Sequence, residues 1–433
     1  MAKLDIQIQA REMLKPSTPT PDHLRILNLS LFDMPEPGNY TPILFHYLPS
    51  SEIAENLQKS LAETLVNFYP LAGRFSSNDL SIHCNDQGVE YVETRVNADL
   101  VEFGSQIELL DDLLPWCVAP PESTHLPPLV GIQLNLFNCG GRVIGIQISH
   151  IIADSFSIAT FIKEWAHVTQ TGTTTKDFLP SFGHLSSLFP ATIVPLEHHQ
   201  FAPPPSSDIV SPKIVTRRFV FDAPIIAKLK DRINSTSPST KPSKVTSVMS
   251  LIWKVLVGIS SAKHGHTRDS FFMFSINVRG KSKISSLEHV FGNCCLAEIV
   301  TLEANHRQEL HDIVNLIGSK LRDASLGIGK ASIDDMTSML VNLSREVVSQ
   351  FGQKDALDIY VCSSWCRFPW YEADFGWGKP FWVSSASRNT EIIILMDTKD
   401  GDGIEAWVSL KEKDMVEFER NIPDILSSLC FEQ

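Results

Sequence analysis

The sequence predicts an α/β protein built from two halves with mixed sheets. Segments with helical spacing of apolar residues and segments with strand-like alternation occur in both halves. Two pairs of predicted strands are joined by short turns that contain glycine, which indicates antiparallel hairpins beside the helices. Hairpins and helices together favour mixed sheets over purely parallel ones. At ~150 residues per domain, a chain of 433 residues corresponds to about three domains or two large ones.

In the N-terminal half, residues 1–185, the apolar period identifies each element. Leu57, Leu61 and Leu65 recur at helical spacing and are followed by Pro70 and Gly73, which end a helix. Further along, apolar and polar residues alternate on both sides of a Gly-Gly turn, as in a hairpin. We predict a helix at 51–67, strands at 130–136 and 143–149, and a second helix from Asp154 whose apolar stripe packs in the core.

The two halves are separated by a proline-rich segment at 186–215. It contains six prolines, and proline fixes φ and removes a backbone donor, so neither a helix nor a central strand is expected to run through it. We predict that this segment is a crossing linker. In the C-terminal half, 216–433, we expect a helix at 246–258 and strands at 217–221, 271–276, 391–397 and 403–410.

The charge balance disfavours one class of partner. Lys and Arg total 37 and Asp and Glu total 50, so the net charge is −13. A nucleic-acid-binding protein needs a basic face, and this balance argues against one. A phosphate-bearing small molecule is still compatible, because a local basic patch can lie on an acidic protein.

The cysteines and the chain ends bear on the compartment. The eight cysteines form no Cys-x-x-Cys pair and match no usual zinc spacing, so we expect free thiols, no metal site and a reducing compartment. The first residues are charged and lack an apolar core, and no apolar run approaches the ~20 residues of a membrane span. We therefore predict a cytoplasmic protein without a membrane partner.

Several catalytic signatures are missing from the sequence. It has no Gly-x-Ser-x-Gly nucleophile elbow, no P-loop and no His-Glu-x-x-His. His150 has the most suggestive context, because it stands where a predicted strand ends and a helix begins, four residues before Asp154. A strand end can aim a side chain rigidly into a cleft. A buried, hydrogen-bonded histidine near a helix-capping aspartate would explain the same pattern.

Longer motifs point to a family. They are, in chain order, Tyr-Pro-Leu-Ala-Gly-Arg at 69–74, His150-x-x-x-Asp154, Asn277-Val278-Arg279, Phe291-Gly292-Asn293, Ser363-Ser364-Trp365-Cys366-Arg367 and Asp374-Phe375-Gly376-Trp377-Gly378. Over nearly the whole chain, these motifs resemble the BAHD family of plant acyl-CoA-dependent acyltransferases. Finer features, such as 84–89 and Met396-Asp397-Thr398, resemble its vinorine-synthase-like branch.

The resemblance implies a fold and a mechanism. The fold would be two chloramphenicol-acetyltransferase-like domains with a channel at their interface, with 186–215 as the crossover and a segment near Ser384 returning to the first domain. The mechanism would need no covalent acyl-enzyme. His150 corresponds to the general base that takes the acceptor's hydroxyl proton. Ser363 and the indole N–H of Trp365 correspond to donors near the developing oxyanion, although core packing would also account for Trp365.

Other motif residues are structural in the family. The resemblance implies that Asp154 pairs with Arg279 and holds the strand end of His150, in place of orienting His150 in a triad. It also implies that the motif at 374–378 lies away from the reacting atoms, in the C-terminal domain. Its glycines suit a tight backbone path.

The region that meets coenzyme A in the family corresponds here to Ser243, Lys244, Asn277, Lys281 and Ser364. Arg279, Lys281 and Lys283 form a local basic cluster that suits phosphates, although a solvated surface would have the same composition. Lys281 stands where the commonest family pattern has arginine, and 285–288 replaces a prolyl segment. These departures concern the CoA contacts and not the class of protein.

We therefore predict an O-acyltransferase that uses acetyl-CoA as co-substrate, without a bound cofactor, to acylate a hydroxyl of a plant specialised metabolite such as an alkaloid or terpenoid alcohol. We expect a monomer. Three alternatives stay open: an idle relative that binds a small molecule or CoA, a thioesterase that uses water, and a transferase with a larger acyl donor or an amine acceptor.

Overall fold

The structure is a computed structural model, and it describes residues 4–33, 39–50, 56–103, 106–115, 126–175, 180–193, 213–237, 241–305, 309–351, 357–386 and 390–431. Within these ranges the strands are β1 (Ile6–Leu14), β2 (Ile26–Asn28), β3 (Tyr40–Tyr47), β4 (Arg74–Ser76), β5 (Ser81–His83), β6 (Val89–Val96), β7 (Val130–Phe137), β8 (Arg142–Ser149), β9 (Ile214–Phe221), β10 (Ser270–Asn277), β11 (Cys295–Leu302), β12 (Asp358–Ser364), β13 (Trp382–Ser384), β14 (Ile392–Asp397) and β15 (Ile404–Lys411). The α-helices are α1 (Leu57–Asn67), α2 (Leu100–Phe103), α3 (Ser155–Thr171), α4 (His184–Leu188), α5 (Ala223–Thr236), α6 (Lys244–His264), α7 (Leu310–Lys330), α8 (Ile333–Phe351) and α9 (Glu412–Phe431).

The chain divides into two compact units that interleave along the sequence. The first unit comprises Met1–Pro205, Ile284–Cys294 and Phe368–Ala386, and the remaining segments form the second unit. The division therefore differs from the predicted domains 1–185 and 216–433, because two short segments from beyond residue 216 belong to the first unit. One of them carries the motif at 374–378, which we had expected in the C-terminal domain.

The main sheet of the first unit explains why the segment Phe368–Ala386 belongs to that unit. Its strand order is β1-β6-β7-β8-β3-β13, and only β6 and β7 pair in parallel. β13 adds to β3 in antiparallel register, with Ser384 opposite Leu44 and Trp382 opposite His46. The predicted return of the chain near Ser384 to the first domain is thus confirmed. A register of this kind depends on pairing partners that are far apart in sequence.

The predicted hairpin of the N-terminal half is the pair β7 and β8. Gly140 in its turn has a φ of +83°, a conformation that glycine adopts without a Cβ penalty. Gly145 in β8 has a different requirement, because a Cβ there would lie 2.1 Å from the carbonyl oxygen of Leu113. The helix predicted from Asp154 is α3, and its stripe is buried in the core, as expected.

The second unit contains a six-stranded mixed sheet in the order β11-β10-β12-β14-β15-β9. β12 pairs in parallel with both of its neighbours, β10 and β14, whereas β14 and β15 form the predicted hairpin. The helix predicted at 246–258 is α6, which extends beyond the predicted limits at both ends. Ser243 caps its N-terminus with its hydroxyl and Gly265, with a φ of +75°, ends it.

Helix α6 is the centre of the second unit's core. Trp253 is fully buried, stacks on Phe272 with ring centroids 5.0 Å apart, and donates its indole N–H to Ser270 Oγ at 2.8 Å. Of the helices in the described ranges, α6 alone has the length and apolar composition of a membrane span, and 72% of its most apolar window is buried inside the fold. That burial is typical of a core helix.

The crossing segment at 186–215 is described only at its ends. α4 extends to Leu188, Pro190 forms an isolated bridge with Ser30, and β9 begins at Ile214. Residues 194–212 lie outside the described ranges, as do 51–55 at the start of the first predicted helix. Among the cysteines whose side chains the structure describes, none forms a disulfide: Cys84, Cys139, Cys294, Cys295, Cys362 and Cys366.

Candidate active site

His150 follows directly on the last residue of β8, where the sequence placed it. Its side chain is half-buried. Its backbone N–H donates to the carbonyl of Asn39, and its own carbonyl accepts from Nδ2 of Asn293, both at 2.8 Å. The main chain of His150 is therefore held on both sides, by a residue next to β3 and by one from a distant segment.

Asp154 is the N-cap of α3. One carboxylate oxygen accepts from the backbone N–H of Ser157 and the other from the backbone N–H of Cys294, both at 2.9 Å. A capping carboxylate satisfies backbone donors that the helix cannot pair internally. Asp154 thus fixes the start of α3 four residues after His150. Its predicted ion pair with Arg279 joins residues of separate units and stays a prediction.

The Phe-Gly-Asn motif packs against the start of α3. Ser157 Oγ donates to the carbonyl of Gly292 at 2.9 Å and accepts from its N–H at 3.1 Å. The next residue, Asn293, donates through Nδ2 to Asp33 Oδ1 at 2.9 Å. Sequence reasoning noted this motif as a family marker but assigned it no role. Asp33 and Asn293 are 260 residues apart, so no local spacing could have linked them.

The motif at 374–378 is a closed loop inside the first unit. Asp374 Oδ1 accepts from the backbone N–H of Gly376 at 2.8 Å and of Gly378 at 2.9 Å. Both glycines have φ near +100°, a region that favours glycine. Phe375 is buried edge-on against Trp165 of α3, with centroids 4.6 Å apart. The motif therefore packs on the same helix that Asp154 caps.

Replacing Phe375 with alanine should destabilise the protein by about 3–5 kcal/mol, because it empties a buried aromatic site between α3 and the returning segment. Denaturant unfolding with a fluorescence probe would measure the change. Phe219→Ala is the control, since Phe219 is half-buried in the second unit and should cost less. A loss below about 1 kcal/mol for Phe375→Ala would contradict the packing role.

In the second unit, Ser363 and Trp365 lie together at the end of β12. Trp365 is 2% exposed, and its indole N–H donates to Ser363 Oγ at 3.2 Å. Its backbone N–H donates to the carbonyl of Leu395 at 2.7 Å. The indole thus combines core packing with a polar contact, and the Ser363 hydroxyl can donate onward. The Ser364 side chain hydrogen-bonds to Cys366, whose pKa burial raises to about 12.

The predicted basic cluster lies in the turn after β10. Asn277 Oδ1 accepts from the backbone N–H of Arg279 at 3.1 Å and from its guanidinium at 3.2 Å. The ammonium group of Lys281 donates to the carbonyl of Asn277 at 2.8 Å. Burial lowers the pKa of Lys281, and the positive charge of Arg367 lowers it further. The charge of Arg367 therefore acts on Lys281, and the sequence analysis gave Arg367 no role.

Ser243 and Lys244 have different surroundings at the start of α6. The Lys244 ammonium pairs with Asp397 at 2.7 Å and donates to the carbonyl of Gly401 at 2.6 Å, so its charge is bound to the β14–β15 hairpin. Ser243 lines a cleft of ≈ 440 Å³ with Lys241 and Arg322. The sequence analysis singled out neither Lys241 nor Arg322. Arg322 comes to the cleft from α7, which is distant from Ser243 in the sequence.

The fold and these motifs define a class of protein. The model of the Transferase family matches residues 4–424. The chain therefore belongs to this family, the plant BAHD acyltransferases, and it is an O-acyltransferase.

Three relatives illustrate the similarity. The chain is 35% identical to acetyl-CoA-benzylalcohol acetyltransferase of Clarkia breweri, over 96% of this chain and 98% of that protein. It is 31% identical to salutaridinol 7-O-acetyltransferase of Papaver somniferum, over 97% and 98% of the two chains. Among solved structures, vinorine synthase superposes with a TM-score of 0.77 at 27% identity, covering 95% of this chain and 96% of its own.

Proposed function

We propose that this protein is an acetyl-CoA-dependent O-acetyltransferase acting on a hydroxyl of a plant specialised metabolite, such as an alkaloid or terpenoid alcohol. The observation that carries the proposal is the rigid placement of His150 at the end of β8, in a chain that shares 35% of its residues with a benzyl alcohol acetyltransferase. We further propose that it acts as a cytoplasmic monomer.

The proposed reaction is a direct transfer with His150 as general base. The neutral imidazole takes the proton of the acceptor's hydroxyl while the oxygen attacks the thioester carbonyl, because an unperturbed imidazole titrates near pH 6.5. The new C–O bond forms first, and the C–S bond then breaks. The proton passes from the imidazolium to the departing thiolate, which leaves as CoA, and the product is an ester.

The oxyanion of the tetrahedral intermediate needs hydrogen-bond donors. We assign this role to the hydroxyl of Ser363, supported by the indole of Trp365 that donates to it. The structure thus supports a relay from Trp365 through Ser363, in place of a direct contact by the indole. The assignment of Ser363 and His150 to one reaction rests on the family resemblance.

The phosphates of acyl-CoA need cations and backbone donors. We propose that Lys281, which is fixed on the carbonyl of Asn277 at 2.8 Å, and Arg367, whose charge acts on it, meet one of them. The cleft with Ser243, Lys241 and Arg322 is a second candidate contact. Lys244 is a weaker candidate for the phosphates, because its ammonium already pairs with Asp397.

Lys281→Met is expected to raise KM for acetyl-CoA about tenfold with little change in kcat, since a charge-assisted bond made equally in the ground and transition states affects binding alone. Steady-state kinetics with varied acetyl-CoA would measure both constants. Lys244→Met is the matched control and should leave KM within about twofold. An effect on KM from Lys244 but not from Lys281 would place the contact at α6 and overturn the assignment.

The test of the function is mass spectrometry of products from the purified protein. Benzyl alcohol, salutaridinol and a set of terpenoid alcohols and amines would be offered with acetyl-, malonyl- and coumaroyl-CoA, and His150→Ala would serve as the blank. An acetyl ester that the blank does not form supports the proposal. Release of CoA without any acceptor would contradict the proposal in favour of thioester hydrolysis, and esters formed only from malonyl- or coumaroyl-CoA would contradict acetyl-CoA as the donor.

A further inference from the structure

A chain of part-buried hydrogen bonds leads from Asp33 to the carbonyl of His150, entirely within the first unit. Asn293 is 1% exposed. Its amide nitrogen donates one proton to Asp33 Oδ1 at 2.9 Å and the other to the carbonyl of His150 at 2.8 Å. Because both partners are acceptors, the orientation of the Asn293 amide is determined.

Asp33 anchors Asn293 more firmly than one bond would. Its Oδ1 also accepts from the backbone N–H of Asn293 at 3.3 Å, and its Oδ2 accepts from the N–H and the hydroxyl of Ser30 at 2.9 and 2.7 Å. Burial raises the pKa of Asp33, whereas these four hydrogen bonds from Ser30 and Asn293 lower it. The carboxylate thus ties the segment of Ile284–Cys294 to the segment that precedes β3.

We propose that Asn293, held by Asp33, is a positioning residue that sets the direction of the His150 imidazole. This inference rests on the proposed function of His150 as general base. His150 stands beyond the last residue of β8, so its carbonyl is not part of the β8 ladder, and Asn293 supplies the donor that fixes this peptide group. A base displaced by about 1 Å loses on the order of 10² in rate.

The position of Asp154 agrees with this role. Cys294, which follows Asn293, donates its N–H to the Asp154 carboxylate at 2.9 Å. The segment at 292–294 therefore contacts both sides of the turn between β8 and α3: the carbonyl of His150 before it, and the cap of the helix after it. The group that orients His150 is therefore Asn293, which is distant in sequence. Asp154, although only four residues from His150, acts as the cap of α3.

Asn293→Ala is expected to lower kcat about 10- to 100-fold, normalised to the folded fraction, with KM for acetyl-CoA changed less than about threefold. The matched control is Asn135→Ala. Asn135 is a fully buried amide of β7 in the same unit, which donates to the carbonyls of Leu113 and Val143 at 2.9 and 3.1 Å. It should lower the melting temperature similarly and leave kcat within about twofold. Equal losses of kcat in both variants would overturn the proposal.

The decisive measurement repeats the Asn293 substitution in a His150→Ala background. If Asn293 acts through His150, the second substitution should change the small residual rate less than about twofold, because effects of residues that act as one unit are not additive. A persistent 10-fold loss in that background would show a merely structural role. Asp33→Ala should lower kcat as Asn293→Ala does. The double variant Asp33→Ala/Asn293→Ala should show no further loss of kcat. A His150→Ala protein with normal turnover would instead refute the general base, a separately recognisable outcome.

Discussion

Replacing His150 with alanine is expected to lower kcat about 10²–10⁴-fold while leaving the protein folded. The side chain is the proposed proton acceptor. Two groups that hold this turn contact the main chain of His150, namely the carbonyl of Asn39 and the amide of Asn293. Truncation of the imidazole should therefore remove the base and keep the backbone path.

The measurement is the initial rate of ester formation at saturating acetyl-CoA, with circular dichroism to confirm folding. His167→Ala is the matched control, since His167 is another half-buried histidine of the first unit, on α3, with no proposed role in the chemistry. Turnover of His150→Ala within about threefold of the parent would remove His150 from the mechanism.

Ser363→Ala should lower kcat about 10²–10³-fold, the usual cost of losing one oxyanion donor. Trp365→Phe should cost less, because in the proposed relay the indole N–H acts through the Ser363 hydroxyl that accepts it at 3.2 Å. The double variant should be no slower than Ser363→Ala alone. A non-additive pair of this kind is the signature of two residues acting in series.

Kinetics of the three variants, each at saturating acetyl-CoA, would decide between this relay and a direct contact. Ser275→Ala is the control, as Ser275 is an exposed serine of β10 in the same sheet. If Trp365→Phe were as slow as Ser363→Ala and the double variant slower than both by the product of their effects, the two side chains would act as separate donors.

The helices and strands that local patterns predicted are present in the structure, but other elements, such as β1, β3 and β6, were not predicted. The strands on each side of 138–141 and of 399–402 and the stripe of α3 all appear where alternation or helical spacing indicated them. Helix ends were less accurate. α6 begins at Lys244 and ends at His264, because a cap at Ser243 and a left-handed Gly265 decide the limits more than the apolar period does.

Contacts between distant segments were beyond local patterns. The motif at 374–378 belongs to the first unit because β13 pairs with β3, and no composition signal marks a three-residue strand. The Lys244 side chain pairs with Asp397 of the β14–β15 hairpin. Local patterns could not show this pairing, because the hairpin is over 150 residues away in sequence. The pairing of Asp33 with Asn293 is hidden for the same reason.

The sequence by itself determined the class of this protein, its mixed α/β elements and the candidate base His150, because motifs and periodicity are properties of neighbouring residues. Tertiary structure alone decided what holds that base. Asn39 reaches the N–H of His150 beside β3, and Asn293, anchored by Asp33, reaches its carbonyl. These partners come from two segments, one before β3 and one at 292–294, which meet His150 only in the folded chain. Buried backbone groups at a strand end must find donors and acceptors wherever the fold supplies them.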